Sequence, residues 1–354
     1  MTDYNEDMLA KSVSVDTKSE LLAEEVQLAE AYESIRPKWV ELFFRKPMRV
    51  PWDWRVLFQD AASGEQDDIL AIIGLALSRA CEKSSERVES TLGMLGFSHM
   101  VSSHYNSTDH KRNDVSDPAR TFAHKAIGVD NKTMHVVCAV FRGTTSFADI
   151  LTDLRSVDDG FYYAGRSCAE ALVDYVQGIE GITYENTIYF ITGHSLGGAA
   201  ANIAARLTRD FADDSMRFVY TYGSPNYDCG IDYRLNKPFA NFHTFSNAAD
   251  SVPTLPSNFP RIGIEHTYDL VNFDNTRRER FEKIYTHFSG VAFADDDPLG
   301  PGVSWLVDDE FRDGYKNHVT LTYLALILSG LSEEKVKRYL ESPSAPQPKG
   351  VGAE

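Results

Sequence analysis

Ser195 stands between two glycines in Gly193-His194-Ser195-Leu196-Gly197. A serine hydroxyl is a weak nucleophile at neutral pH and needs an imidazole within hydrogen-bond reach, itself oriented by a carboxylate. A G-x-S-x-G motif alone is a modest signal, so its surroundings decide. Thr187–Thr192 reads as a buried strand and Ala199–Ala205 as a helix, which puts Ser195 on a sharp strand-to-helix turn. Gly193 and Gly197 lack the Cβ atoms that would collide in so tight a turn. The turn exposes Oγ, and the helix that follows directs its amides and positive dipole end at a developing oxyanion. A serine that merely caps the helix would not need both glycines together with Gly198.

On such a turn the acid and then the histidine follow the serine in chain order. Asp250 lies just past a predicted strand, at the carboxyl end where α/β sheets collect their chemistry. The bland alternative is a turn aspartate that caps local amides ahead of Pro253. His266, His287 and His318 all follow Asp250, and only one of them can be the base. His194, beside the nucleophile, reads as a support for the turn rather than a proton carrier.

Gly193-His194-Ser195-Leu196-Gly197-Gly198-Ala199 resembles the nucleophile segment of class 3 lipases, the fungal-lipase-like group of the α/β-hydrolase superfamily. Val137 to Thr145, followed by Asp149 and Leu151-Thr152-Asp153-Leu154, resembles the strand and loop that supply this family's oxyanion hole. Tyr220-Thr221-Tyr222-Gly223-Ser224-Pro225 resembles the strand after the nucleophile helix, and Asn247-Ala248-Ala249-Asp250-Ser251-Val252-Pro253 resembles the acid loop. The resemblance spans roughly residues 70 to 330; residues 1 to 60 and about 272 to 312 have no counterpart. It implies Asp250 as the orienting acid. It implies His318 as the base, because the family carries its histidine directly before the last helix; His266 is the rival. It also implies backbone N–H groups of Thr144 and Leu196 as the oxyanion donors. Phe147, Ile150, Leu151 and Leu154 fall at i, i+3, i+4 and i+7, one apolar helical face. The resemblance makes that region a lid over the acyl site. A plain helix packed against the sheet is the alternative.

These side chains need a scaffold that brings distant segments together. From about residue 120, short β-rich runs alternate with helical segments, which predicts an α/β-hydrolase fold with a mainly parallel central sheet flanked by helices. Strands are expected at Val136–Phe141, Thr187–Thr192, Phe218–Tyr222 and Asn241–Ser246, and helices around Cys168–Val176, Ala199–Arg209 and Leu321–Leu328. Asp67–Ala80 is apolar around almost its whole circumference, as a helix buried on most sides would be. Thr17-Lys18-Ser19-Glu20 has the spacing of a capping box and opens an expected helix over 17–36. The aromatic stretch from Trp39 to Trp54 is expected to pack on the main domain. The 272–312 insertion, with Phe281, Tyr285, Phe288, Phe293 and Trp305, offers a second cover for the cleft. The division is then an N-terminal helical extension over 1–60, a catalytic domain over 61–340 and a disordered tail over 341–354.

The formal charge of −17 comes from 35 basic and 52 acidic side chains. So acidic a surface repels phosphate backbones, which argues against nucleic acid as a partner. It leaves a neutral small-molecule or lipid ester as substrate and transient contact with a lipid interface open. The longest apolar runs, Ile69–Leu77 and Leu324–Leu328, fall far below the ~20 residues of a membrane span, so no integral membrane segment is expected. No signal peptide is visible, which makes the cytoplasm the default location and leaves non-classical export open. Cys81, Cys138, Cys168 and Cys229 have no metal-ligand spacing and read as reduced thiols, mostly buried. Asp295-Asp296-Asp297 reads as a solvated loop rather than a calcium site. No metal or organic cofactor is required.

The expected activity is hydrolysis of carboxylic esters through an acyl-enzyme. Acylglycerols are favoured by the resemblance, with phospholipase A-type or phenolic-ester activity close behind. A non-catalytic binding or signalling protein on the same fold is the alternative of another class.

Overall fold

The computed structural model describes residues 38–44, 46–61, 67–105, 118–129, 132–143, 160–211, 213–226, 240–256, 263–289 and 318–340. Among them, seven strands form one sheet in the order β3-β4-β5-β6-β7-β8-β9. They are β3 (Ser98–Ser103), β4 (Arg120–Val129), β5 (Lys132–Phe141), β6 (Thr187–His194), β7 (Arg217–Tyr222), β8 (Phe242–Asn247) and β9 (Ile264–Tyr268). β3, β4 and β5 pair antiparallel, and β5 through β9 pair parallel. The four parallel strands expected from the sequence are the centre of this sheet. β3, β4 and β9 were not expected; the outer strands β3 and β9 carry exposed and half-buried residues without the continuous apolar run that marks β6.

The central strands are buried on both faces, as parallel strands flanked by helices must be. Along β5, Val136, Cys138 and Val140 enter one core, and Val137, Ala139 and Phe141 enter another on the opposite face. The second core is closed by α4 (Gly160–Gln177) and α5 (Leu196–Leu207). The first is closed by α2 (Asp68–Lys83) and α7 (Thr320–Ser329). α2 is capped by Asp67, whose carboxylate accepts from Leu70 N at 2.8 Å. It buries Leu70 through Ser78 and Cys81, the burial on most sides that its composition predicts. Gly74 lets α2 sit tightly on the sheet, since a Cβ there would stand 2.8 Å from the Tyr222 hydroxyl and 3.0 Å from Thr192 Oγ1.

Two parts of the sequence reading are corrected. Within the expected N-terminal helical extension, residues 38–52 form an antiparallel hairpin of β1 (Lys38–Phe43) and β2 (Pro47–Trp52). Leu42, Met48 and Val50 are buried, and Leu42 pairs with Met48 across the strands. Met48 and Val50 are buried with Arg49 between them less so, the period of two that belongs to a strand. Among the described residues of that extension only α1 (Trp54–Ala61) is helical. Its Trp54 is buried, donates Nε1–H to Leu95 O at 3.0 Å and lies against Phe58 and Phe190. The expected helix over 17–36 lies outside the described residues.

The second correction concerns the insertion expected as a cover. Its first part is α6 (Asn275–Ser289), whose Phe281, Ile284 and Phe288 are buried in the core beside α7. This apolar face therefore stabilises the scaffold and is not free to cover a cleft. Phe293, Trp305 and the Asp295–Asp297 run lie outside the described residues, as does the tail from 341. α3 (Ser85–Met94) and α8 (Glu333–Leu340) complete the helices. Among the described residues no helix is long and apolar enough to cross a membrane. Cys81, Cys138 and Cys168 are buried thiols.

Candidate active site

Parallel pairing aligns the carboxyl ends of four neighbouring strands. Phe141 of β5 is level with Gly193 of β6, His194 with Tyr222 of β7, and Tyr222 with Phe245 of β8. Gly143, Ser195, Gly223 and Asp250 follow the ends of these strands, so the register gathers them at one edge of the sheet.

Ser195 joins β6 to α5 with φ 58° and ψ −132°, a backbone conformation that residues with a Cβ rarely adopt. The turn is held by Ser195 N donating to Tyr222 O at 2.9 Å and Gly198 N donating to Ser195 O at 2.8 Å. A Cβ on Gly193 would run into the Gly197 carbonyl, and one on Gly197 into the carbonyl of Phe141. These contacts are the physical reason for both glycines of the motif. The end of β5 also presses on the turn, since a Cβ on Gly143 would lie 3.1 Å from Ser195 Cβ. Leu196 is the first residue of α5, so its N–H is among those a helix leaves without an internal partner.

Asp250 is buried and both of its oxygens are used. Oδ1 accepts from Val252 N at 3.0 Å, the local capping that a turn aspartate performs. Oδ2 faces His318 Nδ1 at 2.7 Å and accepts from the Tyr323 hydroxyl at 2.6 Å. Capping and orienting are thus both present in one carboxylate. With Tyr323 donating to the same oxygen, the carboxylate acts as acceptor, so Nδ1 of His318 carries a proton; in the neutral ring Nε2 is then the acceptor. His318 lies directly before α7, and its ring covers Gly223, whose missing Cβ would stand 3.0 Å from Cε1. Ser195 and His318 are both buried, at 1% and 3% exposure. Ser195 Oγ has no hydrogen-bond partner among the described residues, so the serine–histidine bond is not formed in this structure. Free enzymes commonly close that bond only when substrate arrives.

His194 is engaged at both ring nitrogens. Its Nδ1 meets Glu82 Oε1 at 2.5 Å, and its Nε2 meets the main-chain carbonyl of His318 at 2.6 Å. Burial opposes charge on both partners, and each favours the charged form of the other. The Glu82 carboxyl lies below the usual carboxylate range beside His194, and the His194 ring lies above the usual histidine value beside Glu82.

His266, the rival base, is on β9 with Nε2 at 3.0 Å from His243 Nδ1, and His287 is on α6. Neither joins Asp250. Thr144 and the lid candidates Phe147, Ile150, Leu151 and Leu154 lie outside the described residues. Glu82 and Tyr323 were missed because nothing in the linear sequence marks them: one ends a buried helix and the other sits in an apolar one.

Residues 141–259 match the family model described as "Lipase (class 3)". A lipase of Caenorhabditis elegans, ZK262.3, is 33% identical over 144 residues, covering 36% of this chain and 40% of that protein. The triacylglycerol lipase OBL1 of Ricinus communis is 28% identical over 126 residues, covering 33% of this chain and 22% of that protein. The match thus spans less than half the length of these curated relatives. Among solved structures, a lipase of Rhizopus microsporus var. chinensis aligns over 57% of this chain and 75% of its own at 17% identity and a TM-score of 0.39. The LIP2 lipase of Yarrowia lipolytica aligns over 59% and 78% at 19% identity and a TM-score of 0.37. The matched segment holds the end of β5, the turn at Ser195 and the loop of Asp250, and over that segment the chain is similar to class 3 lipases.

Proposed function

We propose that this chain hydrolyses carboxylic esters, with Ser195 as nucleophile, His318 as general base and acid, and Asp250 as the orienting carboxylate. The observation that carries the reading is the 2.7 Å contact of His318 Nδ1 with Asp250 Oδ2, in a buried cluster at the edge of the sheet where Ser195 stands on its strained turn.

His318 Nε2 takes the proton of Ser195 Oγ as the oxygen attacks the ester carbonyl. The imidazolium so formed is stabilised by Asp250 and gives its proton to the departing alcohol. The oxyanion is held by the N–H of Leu196 and, by family resemblance, that of Thr144. A water activated by His318 then releases the acid and restores the serine. Names of matched proteins favour lipid esters, acylglycerols among them, as the substrate class. The region of Phe147 to Leu154 is the lid in this reading.

The test is hydrolysis of p-nitrophenyl esters from two to sixteen carbons, beside a tributyrin emulsion, by wild-type and Ser195→Ala protein. Chain-length-dependent turnover lost in the variant supports the reading and ranks esterase against lipase. Absence of turnover in the wild type, together with no labelling of Ser195 by a fluorophosphonate, would move the protein to a non-catalytic role on the same fold.

A further inference from the structure

A histidine ring reaches only a short way from its Cα, so the main chain at residue 318 determines where Nε2 arrives relative to Ser195. That main chain is held from outside the Ser-His-Asp set. The carbonyl of His318 can only accept, so the His194 nitrogen 2.6 Å away must carry a proton. The other nitrogen of the same ring is 2.5 Å from Glu82 Oε1, whose carboxylate also accepts. His194 is therefore a two-ended donor between the last turn of α2 and the residue that precedes α7. Its side chain is 6% exposed and that of Glu82 23%, so solvent has little access to the link. A helix C-terminus disfavours a carboxylate, so Glu82 sits in its last turn against the local dipole and needs a cationic partner. Among the described residues Arg79 and His318 also act on that carboxylate, and Asp250 acts on His194. The His194 ring also lies 4.6 Å from that of His318, centroid to centroid.

We propose that Glu82 and His194 form a positioning pair for His318: Glu82 orients the His194 ring, and His194 Nε2–H fixes the carbonyl of the base. This rests on His318 being the base for Ser195. Glu82 touches no reacting atom and acts through His194, so its loss changes the chemical step and not the binding of substrate.

Four proteins decide it: wild type, Glu82→Ala, Glu82→Gln and, for assignment, His194→Asn. Gln retains a side chain that can donate to Nδ1 and leaves the proton on Nε2, so it keeps the link to the carbonyl. The measurements are kcat and KM on a soluble short-chain p-nitrophenyl ester, the rate of fluorophosphonate labelling of Ser195, and the 15N spectrum of the histidines near pH 7.5. We expect Glu82→Ala to lose ten- to a hundredfold in kcat and in labelling rate with KM within threefold. Glu82→Gln should recover most of that loss. In the spectrum one imidazolium of the wild type, assigned by its absence from His194→Asn, should become neutral in both Glu82 variants. Wild-type kcat and labelling rate retained in Glu82→Ala, or a neutral His194 in the wild type, would overturn the pair while leaving the Ser195 reading intact. A wild type that neither turns over nor labels would overturn that reading and this proposal with it. A folded Glu82→Ala that loses activity only through a raised KM would mean a role in substrate binding and also overturn the proposal.

Discussion

Tyr323 donates its hydroxyl to the same oxygen of Asp250, Oδ2, that faces His318 Nδ1, at 2.6 and 2.7 Å. The tyrosine comes from α7, one turn beyond the histidine it assists, and its oxygen also accepts from Asn247 N at 3.4 Å. One phenol thus ties the loop of Asp250 to the helix that follows His318. Tyr323→Phe keeps the ring and removes these bonds. A hydrogen bond to a charged group contributes about 1.5–3 kcal/mol, so the variant should lose roughly tenfold or more in kcat with KM little changed. Steady-state kinetics on a soluble ester checks this, and an unchanged kcat would mean that Asp250 is held by its other contacts.

Asp250→Asn should be far more damaging. An amide can present its N–H to His318 Nδ1 and favour the wrong tautomer, which in serine triads costs on the order of 10⁴ in kcat. The fold should survive, because Val252 N can still donate to the side-chain oxygen that replaces Oδ1. Circular dichroism and kcat measured on one preparation separate these effects.

Ser195→Gly should abolish turnover and raise the melting temperature. The native serine is held at φ 58° and ψ −132°, where glycine is unstrained. Such backbone strain costs of order 1–3 kcal/mol. Because Ser195 Oγ has no hydrogen-bond partner among the described residues, removing it sacrifices no such bond there. An increase of a few degrees in Tm is expected, and a decrease would show that the turn is not strained.

Two histidine pairs within the sheet should make the fold acid-sensitive. His124 Nε2 is 2.9 Å from His135 Nδ1, and His243 Nδ1 is 3.0 Å from His266 Nε2. Burial, then the neighbouring imidazole, pushes His124 and His243 down to about 4. A folded-state value below the unfolded one means that the unfolded chain binds more protons as pH falls. Stability is therefore unaffected above about pH 6.5, declines between there and about 4, and levels off below. Thermal melts from pH 7.5 to 4 should show this decline, and His243→Asn should flatten it. An unchanged slope would place the sensitivity elsewhere.

The sequence was most legible where one segment contains its own explanation. β6 is a continuous apolar run, α5 is rich in alanine, and the glycines between them announce a turn, so the setting of Ser195 followed from residues that are neighbours in the chain. Asp250 was legible through strand order, being just past β8. The hairpin at 38–52 was missed because its aromatic residues were weighed only as packing on the main domain. The apolar stripe of α6 was visible, but not which surface it would cover.

By itself the sequence determined the chemistry available to this protein: the types of three side chains, the turn that carries one of them, and the alternation of elements that makes a parallel sheet. These are local properties, set by steric limits at glycine and by the periodicity of apolar residues. The family resemblance pointed to His318, and His318 Nδ1 does meet Asp250; tertiary structure alone decided that Tyr323 shares the same oxygen and that Glu82 reaches His194 across 112 residues of chain. Such contacts depend on strand register and helix placement, which result from burying the two faces of the sheet as a whole and leave no mark on the spacing of the residues concerned.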